Sequence, residues 1–148
     1  MSGFDETMLN RLKRLEREVE RLRVKERHKA ITWTSWTPSS QEGWTAIPSG
    51  SYRYSQVGKL VYCMIAITAG TSNGVTAKIA LPVPPANSLS RGTWGWGMDN
   101  GTQVNPAGGW LISSSTNTIN FFKTSIDGAS WTNSGTKRIH CMFFYEAA

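Results

Sequence analysis

Residues 8–22 carry a heptad pattern of apolar side chains, which limits the possible folds more than any other stretch of the chain. Successive apolar residues are separated by 4, 3, 4 and 3 positions, and they are Met8, Leu12, Leu15, Val19 and Leu22. This spacing is that of a left-handed coiled coil with Leu12 and Val19 at the a positions and the other three at d. We therefore expect identical chains to meet through an N-terminal helix.

The charged residues that flank this seam agree with the same register. Arg11 and Glu18 occupy g positions, while Glu16 and Arg23 occupy e positions. In a parallel bundle Arg11 would face Glu16 of a neighbouring chain, and Glu18 would face its Arg23, so both pairs are opposite in sign. An arginine, two apolar core residues and a glutamate in this order resemble the short trimerisation motif of parallel three-stranded coiled coils. The pattern predicts a parallel homotrimer first and a dimer second, with a solvated single helix as the remaining alternative.

The helix is expected to run from about Asp5 to about Lys29, within an N-terminal segment of residues 1–30. Asp5, Glu6 and Thr7 supply capping and acidic first-turn chemistry, and a strand-like composition begins near Ile31. A coil with only five apolar core positions per chain is marginal by itself. The domain that follows is therefore expected to contribute much of the trimer contact.

Residues 31–148 have the pattern of a β-domain. Runs of β-branched and aromatic residues recur between Gly, Asn, Pro and Ser breaks, and helical periodicity is absent. The predicted strands lie near residues 31–36, 44–47, 51–56, 59–69, 75–81, 93–98, 109–114, 118–124 and 137–145. The fold class is thus mainly β with an N-terminal α-helix: a parallel trimeric coiled coil followed by an antiparallel, jelly-roll-like β-sandwich.

Two of the predicted strands are apolar on both faces. In the run from Leu60 to Ala69, alternate residues form two apolar rows, and Ile139 to Tyr145 has the same character. Such strands are central in a sheet, so we expect the second sheet on one face and a neighbouring subunit or loop on the other. Cys63 and Cys141 lie within these runs and are expected to be buried free thiols, with a disulfide between neighbouring strands as the alternative.

The charge distribution argues against nucleic-acid binding. Residues 1–30 hold 9 of the 16 Lys and Arg and 6 of the 10 Asp and Glu, so the β-domain keeps 7 basic and 4 acidic side chains. Counterion release needs clustered basic residues, which this domain lacks. The chain also shows neither a membrane-spanning apolar run nor a secretory leader pattern, so we expect folding in a cytoplasm without membrane insertion.

Few residues of the β-domain could perform catalysis. Its carboxylates and its histidine are Glu42, Asp99, Asp127, Glu146 and His140. Asp99 and Asp127 directly precede Asn-Gly and Gly, where aspartate commonly bonds backbone groups of a turn. His140 is expected to be a sheet or interface residue, and three copies at a trimer axis forming a metal site are a minor alternative. We predict a protein that is not an enzyme and has no cofactor, no metal site and no catalytic residue.

The sequence from residue 92 to 105 offers material for a ligand-binding surface. Trp94 and Trp96 are two residues apart and flanked by glycines, so both would project from the same side of a strand. An aromatic platform with short polar side chains beside it suits a cell-wall sugar. The candidate ligand-binding residues are Trp94, Trp96, Asp99, Asn100, Gln103 and Asn105. The alternative is that both tryptophans fill the core or the three-fold seam.

Four motifs of the β-domain are residues 54–61 (Tyr-Ser-Gln-Val-Gly-Lys-Leu-Val), 70–74 (Gly-Thr-Ser-Asn-Gly), 81–84 (Leu-Pro-Val-Pro) and 131–137 (Trp-Thr-Asn-Ser-Gly-Thr-Lys). They resemble motifs in the β-structured C-terminal domains of bacteriophage tail fibres, minor tail proteins and related virion appendages. The resemblance covers roughly residues 44–146.

This resemblance implies a homotrimeric virion structural protein of the tail fibre or tail tip, with a role in host attachment. The implied partners are other copies of the chain, other virion proteins and a host cell-wall glycan. Such fibres usually carry a longer shaft upstream, so a capsid decoration or head-fibre protein is the first alternative. A carbohydrate-binding module comes next, and a polysaccharide depolymerase last.

Overall fold

The computed structural model describes residues 3–27, 31–93, 95–104, 109–123 and 130–148. The chain divides into two compact units, Met1–Thr32 and Trp33–Ala148, and each is described by itself.

The first unit contains one helix, α1 (Gly3–Arg27). It begins two residues before the predicted start at Asp5, so Asp5 and Glu6 lie within its first turn. The predicted end near Lys29 falls outside the described residues. The N-terminal helix of the prediction is confirmed.

The described part of the second unit contains eleven β-strands. They are β1 (Thr34–Ser35), β2 (Gln41–Glu42), β3 (Ser49–Val57), β4 (Leu60–Ala69), β5 (Lys78–Ala80), β6 (Leu89–Thr93), β7 (Trp96–Asp99), β8 (Thr102–Val104), β9 (Gly109–Ser113), β10 (Thr118–Phe121) and β11 (Lys137–Glu146).

The strands form two antiparallel sheets, which confirms the mainly-β prediction. One sheet has six strands in the order β1-β3-β4-β11-β7-β8, and the other has five in the order β2-β5-β10-β9-β6. The longest pairing joins β4 to β11, from Ile67 opposite Ile139 to Leu60 opposite Glu146. Strands that are far apart in the sequence therefore lie at the centre of the larger sheet.

Both sheets contribute side chains to one hydrophobic core. Strand β4 alternates buried and half-buried residues, with Val61, Cys63, Ile65 and Ile67 inward. Strand β11 alternates buried and exposed residues along its whole length. The smaller sheet adds fully buried side chains to the same cluster: Ile79, Ile112, Ile119 and Phe121. The expected cover of the inner face of β4 and β11 is thus observed.

The prediction of a strand at residues 44–47 is wrong. Trp44 makes only an isolated bridge to Ser72, and the neighbouring strand is β2, at residues 41–42. Gly43 between them has a φ of +90°, and a Cβ there would overlap the Thr76 carbonyl oxygen, so the chain turns where a strand would continue. Strands β6 over residues 89–92 and β8 were not predicted.

The two Asn-Gly pairs of the β-domain, Asn73–Gly74 and Asn100–Gly101, have different backbone conformations. Asn100 and Gly101 have φ values of +49° and +82° and form the turn between β7 and β8, as predicted. Asn73 and Gly74 instead belong to the connection between the two sheets, where the Asn73 N–H donates to the Gly43 carbonyl. Neither residue has a positive φ, so this pair does not form the tight hairpin turn that Asn-Gly favours.

Candidate functional site

The seam of α1 is an uncovered apolar stripe. Its five residues are each exposed by about half: Met8 59%, Leu12 54%, Leu15 53%, Val19 48% and Leu22 53%. Leu9 lies outside the a and d positions of the predicted seam. It occupies an e position beside Met8, is 50% exposed and widens the apolar stripe. Large apolar side chains in contiguous rows on a surface mark contact sites.

The charged residues beside this stripe are also available to a partner. Arg11, Glu16 and Glu18 are exposed, and none forms a salt bridge within the described part of the chain. The side chain of Arg23 lies outside what is described. The remaining three are free to make the pairs that the heptad register predicts between parallel chains.

The four predicted ligand-binding residues that the structure describes, Trp96, Asp99, Asn100 and Gln103, do not share one surface. Trp94 and Asn105 lie outside the described residues. Trp96 is half-buried on β7, and Asn100 and Gln103 are exposed at the turn and on β8. Met98 pairs with Gln103, so Gln103 shares the face of the sheet that carries Trp96.

Trp96 makes a packing contact with the neighbouring strand. Its ring meets the ring of His140 edge-on, with the centroids 5.1 Å apart. His140 is the direct partner of Trp96 across β7 and β11. This contact favours the packing interpretation of Trp96 over an open sugar platform.

Asp99 must be removed from the ligand-binding set, because it points into the protein. It is only 2% exposed. Its carboxylate accepts hydrogen bonds from the Thr132 N–H at 3.0 Å and the Thr132 hydroxyl at 2.9 Å. Lys123 Nζ lies 2.7 Å from the same carboxylate. These partners occupy the carboxylate, so Asp99 secures the segment around Thr132 to β7 and is not presented to a ligand.

A buried lysine lies at the end of the fourth motif and is one of the seven basic residues of the β-domain. Lys137, the first residue of β11, is 0% exposed. Its ammonium donates to the carbonyls of Gly43 at 2.8 Å, Gly74 at 2.6 Å and Thr76 at 2.7 Å. The ammonium also lies 5.5 Å from the centre of the Trp44 ring. All three donors of the ammonium are therefore used.

Desolvation changes the acidity of this ammonium. Burial lowers the pKa of Lys137 from 10.5 to about 8, and the nearby Asp99 carboxylate opposes the change. An enclosed amine with three carbonyl partners has no access to a substrate. Its role is to hold residues 43 and 74–76 together at the end of β11.

The larger sheet exposes a second apolar surface, which we name the outer face. It is formed by alternate residues of the two central strands: Tyr62, Met64, Ala66, His140, Met142 and Phe144. Met142 is 66% exposed and Phe144 63% exposed. The rings of Tyr62 and Phe144 lie 6.2 Å apart and form one continuous patch with the methionines. This is the second apolar row that the sequence analysis expected a neighbouring subunit or loop to cover.

The two cysteines are buried free thiols, as the sequence predicts, and do not form the alternative disulfide. Cys63 and Cys141 are buried on neighbouring strands, but Cys63 is paired with Phe143 and Cys141 with Ile65. Burial raises the pKa of Cys63 to about 12 and raises that of Cys141 as well. Thiols of this kind are inert.

The described acidic side chains do not assemble into a group that could hold a metal ion. Glu42 pairs with Lys78 at 2.8 Å on the surface, and this contact lowers its pKa. Asp127 lies outside the described residues. Among the described residues, no three His, Cys, Asp or Glu side chains converge. The described part of the chain also contains no helix with the length and apolar character needed to cross a membrane.

No protein-family model matches this sequence, and comparisons with curated proteins and with solved structures find no significant match. Function must therefore be inferred from the residues and their geometry.

Proposed function

We propose that this chain is a non-enzymatic structural protein of a bacteriophage virion. In this proposal three chains form a parallel coiled coil through α1, and each carries a jelly-roll-like β-sandwich. The assembly belongs to a tail fibre or tail tip, contacts other virion proteins and touches the host envelope.

The observation that carries the proposal is the exposed heptad seam of α1. Five half-exposed apolar residues in a strict heptad register, flanked by Arg11 and Glu16, are what a parallel coil needs and a solitary helix does not. A helix with this stripe uncovered would leave a contiguous apolar surface in water.

Two features of the β-domain support a structural role. The buried charged side chains Asp99 and Lys137 are occupied by protein groups. The motif at residues 131–137, one of those resembling phage appendages, supplies Trp131, Thr132 and Lys137 to buried contacts. The resemblance thus falls on residues that stabilise the domain.

Light scattering of the purified chain tests the assembly. The proposal expects a mass of about 49 kDa, three times the 16.4 kDa of one chain. Leu15→Asp places a charge in the seam and should reduce the mass to that of a monomer, while an outward substitution on the same helix, Lys13→Asp, should not. A stable monomer of the unaltered chain at micromolar concentration would contradict the proposal.

Cryo-electron microscopy of the virion would distinguish tail from capsid. The tail-fibre proposal expects density for the trimer at the tail tip, whereas a capsid decoration or head-fibre protein would occupy three-fold or quasi-three-fold capsid sites. Antibody labelling of virions with a serum against the chain gives the same distinction at lower resolution.

Sugar binding by the domain is a second candidate, favoured by the common face of Trp96 and Gln103. A glycan array with the unaltered chain, Trp94→Ala, Trp96→Ala and Gln103→Ala would test it. The host-glycan proposal expects a signal that both tryptophan variants lose. Equal signal in every variant would remove these residues from any sugar site.

A further inference from the structure

We infer that the outer face is the surface through which the β-domains of the three copies contact one another. This inference rests on the proposed homotrimer and adds the part of the domain that assembles it.

The size of the exposed apolar surface is the first argument. Aromatic side chains present ~150–250 Å², and Phe144 keeps 63% of its surface exposed. With Met142 at 66% and the half-buried Tyr62 and Met64 beside it, the face presents several hundred Å², on the order of the largest patch that a typical monomer exposes.

The exposed heptad seam of α1 points to identical copies as the occupant, because chains joined through that seam would bring their own outer faces close together. Along the outward side of β11, Arg138 lies at one end and Glu146 at the other, while His140, Met142 and Phe144 lie between them. A further charge lies at the border of the face, where Arg53 of β3 is exposed and is the direct partner of Met64 across the sheet. The six residues of the outer face include no Lys, Arg, Asp or Glu, so copies that meet over them need not bury an ion of these types.

The area needed for a stable contact explains why the helix and the face act together. A lasting interface buries roughly 800 Å² per partner, which is more than the outer face alone supplies. The coiled coil would add the remaining area and hold the domains at an effective concentration in the millimolar range. We therefore expect the domains to associate weakly when the coil is disrupted.

The test uses the full chain and charge substitutions of matched exposure. Phe144→Asp and Met142→Asp alter the outer face, while Val75→Asp alters a residue that is 53% exposed in the connection between the sheets. We expect the unaltered chain and Val75→Asp to dissociate over the same concentration range. Each outer-face variant should need at least ~10-fold more protein to remain trimeric, with an unchanged circular dichroism spectrum.

Cysteine accessibility gives a second measurement that does not depend on a disruptive charge. Cys63 and Cys141 are buried, so a maleimide reports on an introduced thiol alone. Met142→Cys should react at least ~10-fold more slowly than Val75→Cys in the trimer. Adding Leu15→Asp should raise the rate of Met142→Cys to that of Val75→Cys.

The outcomes separate the inference from the proposed function. If the unaltered chain is a monomer, both fail together. If it is a trimer, but Phe144→Asp dissociates like Val75→Asp and Met142→Cys reacts at the Val75→Cys rate, the inference is overturned while the coiled-coil trimer stands. The outer face would then be open to a different protein.

Discussion

Lys137 and Asp99 lie directly opposite each other on β11 and β7, yet their charges are satisfied by different partners. The Asp99 carboxylate accepts a hydrogen bond from the Thr132 hydroxyl and forms an ion pair with Lys123, whereas the Lys137 ammonium donates to three backbone carbonyls. Each charge therefore secures a connecting segment to the larger sheet. The two residues stabilise the domain through contacts remote in the sequence.

Replacing Lys137 should destabilise the domain strongly. Lys137→Met keeps most of the volume but leaves the buried carbonyls of Gly43, Gly74 and Thr76 without their donor. An unsatisfied buried acceptor costs ~1–3 kcal/mol, and loss of the desolvated charge offsets part of the total, so we expect a loss of about 3 kcal/mol in the free energy of unfolding. Urea denaturation at fixed protein concentration measures it.

Lys59→Met is the matched control for that substitution. Lys59 is exposed in the turn between β3 and β4, and we expect its replacement to change the free energy of unfolding by less than about 0.5 kcal/mol. Equal effects of Lys59→Met and Lys137→Met would show that the carbonyl contacts contribute little.

Removing the charge of Asp99 should also lower stability. Asp99→Asn weakens the hydrogen bonds from Thr132 and removes the ion pair with Lys123. The Asp99 side chain has no exposed surface, so water cannot replace these partners. Hydrogen bonds to charged groups contribute ~1.5–3 kcal/mol, so we expect a loss of about 2 kcal/mol. Glu42→Gln interrupts the exposed pair with Lys78 and should cost under about 1 kcal/mol. A larger effect at Glu42 than at Asp99 would contradict this assignment.

The pH dependence of stability should reflect the buried thiols. Burial raises the pKa of Cys63 from 9.0 to about 12 and raises that of Cys141, so the folded chain holds protons that the unfolded chain releases. This contribution is complete below pH 9 and is lost as the pH rises toward 12, by up to about 1.4 kcal/mol per pH unit for each thiol.

A Cys63→Ala, Cys141→Ala double variant isolates the effect of the thiols. Between pH 9 and 10 its free energy of unfolding should fall less steeply than that of the unaltered chain, as urea denaturation would show. Lys137 has the opposite effect on stability. Its pKa is lowered from 10.5 to about 8 in the folded chain, so between these two pH values the unfolded chain binds more protons and the free energy of unfolding rises with pH. That effect is common to both proteins and cancels in the comparison. Parallel pH profiles would contradict the prediction.

Local alternation of side chains in the sequence was enough to predict the two central strands and which of their residues are buried. The alternation in Leu60–Ala69 and in Ile139–Tyr145 identified two central strands and their buried rows because side chains change face at every residue. The order of the sheets was not predictable in this way, since β11 lies between β4 and β7 through contacts between distant segments.

The interior charges show why the candidate site was harder to predict. Asp99 was correctly placed beside the Asn100–Gly101 turn, but its carboxylate bonds Thr132, which is 33 residues away. Lys137 can be buried because its ammonium donates to the carbonyls of residues 43, 74 and 76. These partners are 61 to 94 residues away in the sequence. Nothing in the local sequence of either residue identifies such partners. Without knowledge of its partners, a charged residue is predicted to lie on the surface, because most charged residues do.

Charge reversal in α1 should reveal both the register and the direction of the proposed coil. Arg11→Glu places like charges opposite Glu16 in a parallel bundle, and Glu16→Arg does the same to Arg11, so each single variant should lower the temperature of trimer dissociation. Combining the two restores opposite charges at every such contact. Each exposed pair contributes ~0.2–1 kcal/mol and a trimer contains three, so the double variant should regain about 1–2 kcal/mol relative to the single variants. Thermal dissociation followed at several protein concentrations gives the comparison. An antiparallel arrangement places g opposite g and e opposite e, and there the double variant would show no rescue.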